Sequence, residues 1–156
     1  MLTEKDYCDY DTCVALKELG YNRGAYAYYF PNHKEDLIFN THPMRGCSIN
    51  EMLRGYNTYS DDTLGHELID APTMWEAQKW LREEKQMLVI PLIFADNLID
   101  ECGKIVGRWK YYSFAIYSTS TAEFIRNYDQ GEECDSYEEA LLEGVRASIK
   151  LLKEEK

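Results

Sequence analysis

The side chains best suited to chemistry lie in one stretch, where Asp61-Asp62 is followed by His66-Glu67 and then Asp70. Carboxylates and an imidazole this close in sequence could hold a divalent cation or share a proton. The spacing departs from the H-E-x-x-H zinc helix, because position 70 is aspartate. Gly65 and Pro72 also disfavour a helix that would set 66 and 70 on one face. A solvated loop is therefore the expected reading, and a metal-dependent enzyme using Asp61, Asp62 and His66 is the alternative. His33 falls in a turn, and His42 precedes Pro43, where extended surface chain is the ordinary expectation. The chain has no Walker-type glycine loop, no G-x-S-x-G elbow and no G-x-G-x-x-G. Neither a cofactor nor a bound metal is expected, and the balance is against an enzyme, although catalytic groups assembled by folding leave no local signature.

Two features point to binding. Tyrosine occurs 13 times, about two to three times the usual share, and Tyr26, Tyr28, Tyr29, Tyr111, Tyr112 and Tyr117 fall in β-prone segments. Outward tyrosines make good contacts, because they bury a large area while losing little rotamer freedom. The second feature is acidic: Asp129, Glu132, Glu133, Asp135, Glu138, Glu139 and Glu143 are uninterrupted by any base. Acids at a helix N-terminus are stabilising, but Asp129 to Glu133 precede the helix expected there. Strand propensity and a solvated face are the plain explanations of these two features. The favoured reading of the function is nonetheless non-catalytic protein binding, with Tyr26, Tyr28 and Tyr111 and with Asp129, Glu132, Glu133 and Asp135 on a surface for a basic protein. In its sharpest form that surface imitates nucleic-acid phosphates and so inhibits a nucleic-acid-binding protein.

Several elements must position these groups. Asp9 or Asp11 can cap a helix with apolar Cys13, Leu16 and Leu19, stopped by Gly20. Ala25 to Phe30 and Leu37 to Phe39 read as a hairpin around a polar turn at 31–36. Thr41 to Asp70 has no sustained period and reads as an irregular connector. Thr73 with Glu76 is a capping box that opens a helix over 73–85, with Met74, Ala77, Trp80 and Leu81 as its inward stripe. Met87 to Ala95 reads as a covered strand, except that Pro91 demands an edge or a bulge. Lys104 to Ser118 alternates like one or two half-buried strands. Ser136 with Glu139 opens a last helix over 136–153, with Ala140, Leu141, Val145, Ile149 and Leu152 inward. The expected architecture is one α+β domain: an antiparallel sheet with helices packed on one face, and the first hairpin joining the same core.

The 156 residues, 45% hydrophobic, suffice for a core without staples. With 28 acids against 17 bases and a net charge of -11, direct nucleic-acid binding is disfavoured, although a local basic patch would be compatible with these totals. The five cysteines form no C-x-x-C pair and read as reduced thiols. The longest apolar run, Met87 to Ala95, is too short to span a membrane, and the first residues do not read as a secretory signal, so the expected address is the cytoplasm.

The segment from Ala71 to Glu83, with Tyr137-Glu138-Glu139-Ala140-Leu141, resembles small uncharacterised proteins of phages and prophages of gut Bacteroidales. That resemblance implies a phage context and no particular reaction. The helix, strands and final helix opening at Ser136 are similar in plan to HicB-type antitoxins and to the double-stranded-RNA-binding fold. Where that fold holds phosphates with a basic helix start, Asp135, Glu138 and Glu139 would repel them. An antitoxin-like role, occupying a toxin protein, needs no basic surface.

Overall fold

A computed structural model describes residues 2–31, 33–39, 68–127 and 133–155. The fold is α+β, with three α-helices and two three-stranded antiparallel sheets among the described residues. The chain divides into two compact units, Met1–Ala77 and Gln78–Lys156. Helix α2 (Met74–Glu84) runs through the division.

In the first unit, a short 3-10 turn, Glu4–Asp6, is capped by Thr3, whose backbone and hydroxyl both donate to Asp6. Helix α1 (Tyr10–Glu18) starts at Asp9, whose Oδ1 accepts from the Thr12 amide at 3.0 Å. Gly20 ends it at φ 95°, a conformation that costs a residue without Cβ little. Cys13, Leu16 and Leu19 are buried as their spacing requires, and α1 packs against strand β3 (Ile69–Ala71). The sheet runs β2-β1-β3, with β1 spanning Ala27–Phe30 and β2 spanning His33–Phe39.

This unit corrects two expectations. Most of the polar stretch read as a turn is strand: His33 to Asp36 are exposed residues of β2, and His33 sits 3.5 Å from Asp36. An edge strand exposed over this length needs no apolar alternation, so its pattern resembled a turn. The end of the stretch read as a connector, Ile69–Ala71, is a strand paired with β1. Three residues are too few to show a period. Residues 41–67 of that connector, with Asp61, Asp62, His66 and His42, lie outside the described residues.

Helix α2, which starts in the first unit and ends in the second, opens on the expected capping box. The Thr73 amide donates to Glu76 Oε2 at 2.8 Å, and the Glu76 amide donates to Thr73 Oγ1 at 3.2 Å. Met74, Ala77, Trp80 and Leu81 are all buried. Strands β4 (Met87–Ile99) and β5 (Ile105–Ser118) form one long antiparallel ribbon, and β6 (Glu123–Arg126) pairs with the end of β5. Helix α3 (Tyr137–Glu154) packs against β4 and β5. Ser136 Oγ accepts from the Glu139 amide, while the Glu139 carboxylate takes the amide of Asp135, one residue earlier than a strict capping box would have it.

The expectation of a half-buried strand fails at the base of the ribbon. Phe114 and Ile116 are buried on one face, and so are Ser113 and Ala115 on the other. The alternation there separates large residues from small ones rather than inside from outside. Pro91 is on β4, which among the described residues is an edge strand paired with β5, so the edge that its missing amide hydrogen demands is the one it occupies.

Candidate functional site

The ribbon changes character along its length. At the base, Met87 and Val89 of β4 face Ser118 and Ile116 of β5, and all four are buried. Adding a Cβ to Gly144 of α3 would bring it within 2.3 Å of Val89 Cγ1 and 3.2 Å of the Phe114 ring, so helix and sheet meet here without a gap. Towards the tip the cover ends. From Ala95 to Lys110 every residue except Gly107 is exposed, including Leu98 at 52%, Val106 at 64% and Trp109 at 43%. The distal half is thus a two-stranded arm.

The arm closes on a turn built by Asp100. Its Oδ1 accepts from the amides of Cys102 (3.0 Å) and Lys104 (2.8 Å), and Gly103 takes a positive φ of 78°. This is an Asx-type turn in which one carboxylate satisfies two loop amides. On one face the register sets Phe94 opposite Tyr111, Asp96 opposite Trp109 and Leu98 opposite Gly107, so that Leu98, Trp109, Phe94 and Tyr111 share that face. The Phe94 and Tyr111 rings stack at 5.1 Å, and Trp109 lies 4.8 Å from Tyr111. Such ring pairs stiffen a ribbon through contacts beyond simple burial. Ile93, 61% exposed, lies on the opposite face.

Tyr111 is half-buried within that stack. Its neighbour Tyr112 pairs with Cys134 through two backbone hydrogen bonds of 2.9 and 2.8 Å. This antiparallel bridge brings Glu133 and Asp135, both exposed, alongside β5 where the arm leaves the sheet. Tyr111 and these two carboxylates are therefore brought together. Asp129 and Glu132 lie outside the described residues. Tyr26 and Tyr28 belong to the other unit: Tyr26 is exposed just before β1, and Tyr28 is a half-buried residue of β1 with its ring edge-on to Phe30.

Sequence reasoning missed the arm, although Asp100 followed by Gly103 between two β-prone runs was a usable turn signal. It also missed a gathering of bases on α3 and β6. Arg126, Arg146 and Lys150 line a cavity of about 300 Å³ with Phe114, Ala147 and Glu143. The Arg126 guanidinium lies over the Phe114 ring at 4.9 Å, Arg146 pairs with Glu143, and Lys150 is 3.9 Å from Glu154.

Tyrosines inside the first unit are held as neutral phenols. Tyr29 donates its hydroxyl to the Cys8 carbonyl at 3.1 Å, and burial pushes its pKa well above the usual range, as it does for Tyr21. Burial likewise raises the Cys13 thiol, which donates to the same carbonyl at 3.4 Å. These groups suit a core and would be poor bases or nucleophiles near neutral pH. Cys8, Cys13 and Cys134 are buried thiols and Cys102 is an exposed one in the arm's turn. Among the described residues no three His, Cys, Asp or Glu side chains are placed to hold a metal, and no helix is long and apolar enough to cross a membrane. No protein-family model matches the chain, and no curated protein and no solved structure matches it either.

Proposed function

We propose that this protein acts by binding another protein, with the distal arm of the β4–β5 ribbon as the contact. The observation that carries the reading is the exposure of Leu98, Ile99, Ile105, Val106 and Trp109 together on one hairpin. Contiguous exposed apolar surface on a folded domain commonly marks an interaction site. The stack of Phe94, Trp109 and Tyr111 supplies rigid aromatic anchors of the kind that dominate interface energetics.

Charge selects the partner. Glu133 and Asp135 stand beside the root of the arm, within a chain of net charge -11, so a basic protein is the partner that this field attracts. A nucleic-acid-binding protein of the cytoplasm, its basic groove occupied by these carboxylates, is the sharpest form of the reading. The resemblance to phage-encoded proteins suggests a host protein in that role.

The test is affinity capture from a host lysate, followed by measurement of the recovered partner with purified components. A Leu98→Ser/Trp109→Ser variant should lose the partner while retaining the wild-type circular dichroism and melting curve. A Glu133→Lys/Asp135→Lys variant should bind more weakly and lose most of the salt dependence. Retention of the same partner with unchanged affinity by both variants would remove the arm and these carboxylates from the function.

A further inference from the structure

The arm has two edges, and they differ. Backbone directions on β4 follow from two separate contacts. Gln78 Nε2 of α2 donates to the Val89 carbonyl at 2.6 Å, so that carbonyl points away from β5. Tyr112 exchanges backbone hydrogen bonds with Cys134, so its register partner Ile93 also turns its amide and carbonyl away from β5. Both assignments agree, because backbone groups of residues two apart in a strand point the same way. Ile93, Ala95 and Asn97 therefore present N–H and C=O groups on the outer edge of β4.

Proteins guard such edges with proline, lysine or a covering element, because an unpaired edge is a template for another strand. The base of β4 is guarded by Pro91 and by Gln78. The outer edge of β5 is covered by Cys134 at Tyr112 and by β6 near its end, and its open part carries Arg108 and Lys110. Residues 92–99 of β4 have neither proline nor lysine, and their one charge is Asp96. Among the described residues no strand pairs with this edge, and an open edge of this kind calls for another strand.

We infer that the strand that fills it is the β4 edge of a second copy of this chain, so that two arms join into a four-stranded antiparallel sheet around a two-fold axis. Charge favours this occupant. Residues 92–111 carry Asp96, Asp100 and Glu101 against Lys104, Arg108 and Lys110, so a chain of net charge -11 meets its copy through a neutral segment. Charge also selects the register. Centring the axis on Asp96 would set two carboxylates face to face, whereas centring it on Ala95 sets Asp96 opposite Phe94 of the second copy. In that register Ala95 pairs with Ala95, and Ile93 pairs with Asn97, in about six backbone hydrogen bonds. Both copies of Leu98, Trp109, Phe94 and Tyr111 then share one face, a contact surface twice that of one arm. The edge serves the copy and the face serves the partner, so the inference goes beyond the proposed function and can fail without it.

Sedimentation of the full chain tests the pairing. The wild type should sediment as a dimer that dissociates on dilution. Ala95→Pro should sediment as a monomer with unchanged circular dichroism, because its lost amide hydrogen points away from β5, as at Pro91. Should that variant misfold, Ala95→Lys and Ala95→Glu carry the test: each alone should be monomeric, and an equal mixture should restore the dimer. A monomeric wild type at all concentrations, a folded dimeric Ala95→Pro, or a mixture that stays monomeric would each overturn the inference. Binding of the captured partner by monomeric Ala95→Pro would leave the proposed function standing, and loss of binding in the Leu98→Ser/Trp109→Ser dimer would support that function separately.

Discussion

The two ends of the β4–β5 ribbon are made of similar residues and meet different surroundings. Val89, Phe114 and Ile116 at the base are buried, with α3 packed against their strands, while Leu98, Ile99, Ile105 and Val106 at the tip are exposed. Residue type alone does not distinguish them; what differs is whether a helix lies on top. The base stabilises the fold by burying apolar area, whereas the tip is held by strand pairing, an Asx turn and ring stacking. Phe114→Ala breaks this comparison most directly. Opening a cavity beneath Gly144 should cost about 3–5 kcal/mol, a large part of the stability of an ordinary domain. Leu98→Ala at the tip should fall within about 0.5 kcal/mol. Denaturant unfolding of the two variants checks this, and equal losses would mean that the base does not anchor the unit.

Two glycines sharpen the same contrast with opposite signs. At Gly144, a methyl group would meet Val89 and Phe114, both buried, at 2.3 and 3.2 Å. At contacts this short the strain of overpacking, about 2–3 kcal/mol, outweighs the gain of about 1 kcal/mol in helix propensity, so Gly144→Ala should be destabilising by about 1–2 kcal/mol. At Gly107 the nearest atom is Leu98 Cδ1, the end of an exposed side chain, at 3.4 Å. There the substitution removes the strand penalty of glycine and should be stabilising by about 0.5 kcal/mol. Melting temperatures that move in opposite directions would establish the difference between base and tip; shifts in the same direction would contradict it.

What could be read from the sequence follows the range over which each signal acts. Thr73 with Glu76, Asp9 before α1 and the stripes Met74-Ala77-Trp80-Leu81 and Ala140-Leu141-Val145-Ile149 are local, and each holds in the structure. The α+β class follows from them. Polar His33 to Asp36 were misread because an exposed edge strand has no apolar face to declare itself. The arm was hidden for the converse reason. Ile99, Ile105 and Val106 have the composition of core residues, and only tertiary structure shows that they are exposed. The proximity of Tyr111 to Glu133 and Asp135 depends on the Tyr112–Cys134 bridge, a pairing over more than twenty residues that no local pattern announces.

The effect most confined in space concerns the ring stack. Trp109 lies against Tyr111 at 4.8 Å and remains 43% exposed, so its removal costs less than that of a fully buried ring. Trp109→Ala should therefore weaken the arm by about 0.5–1 kcal/mol and leave the base untouched. Global melting is a poor detector of such a change, because the tip opens locally without unfolding the core. Amide hydrogen exchange resolves it residue by residue. Ladder amides of β4 and β5 between residues 94 and 109 should exchange about 2–5-fold faster in the variant, while those of Ile90 and Ala115 at the base keep their wild-type rates. Equal acceleration at base and tip would mean that the ribbon opens as one cooperative piece, and the division between an anchored base and an exposed arm would then be one of surface alone, without a counterpart in stability.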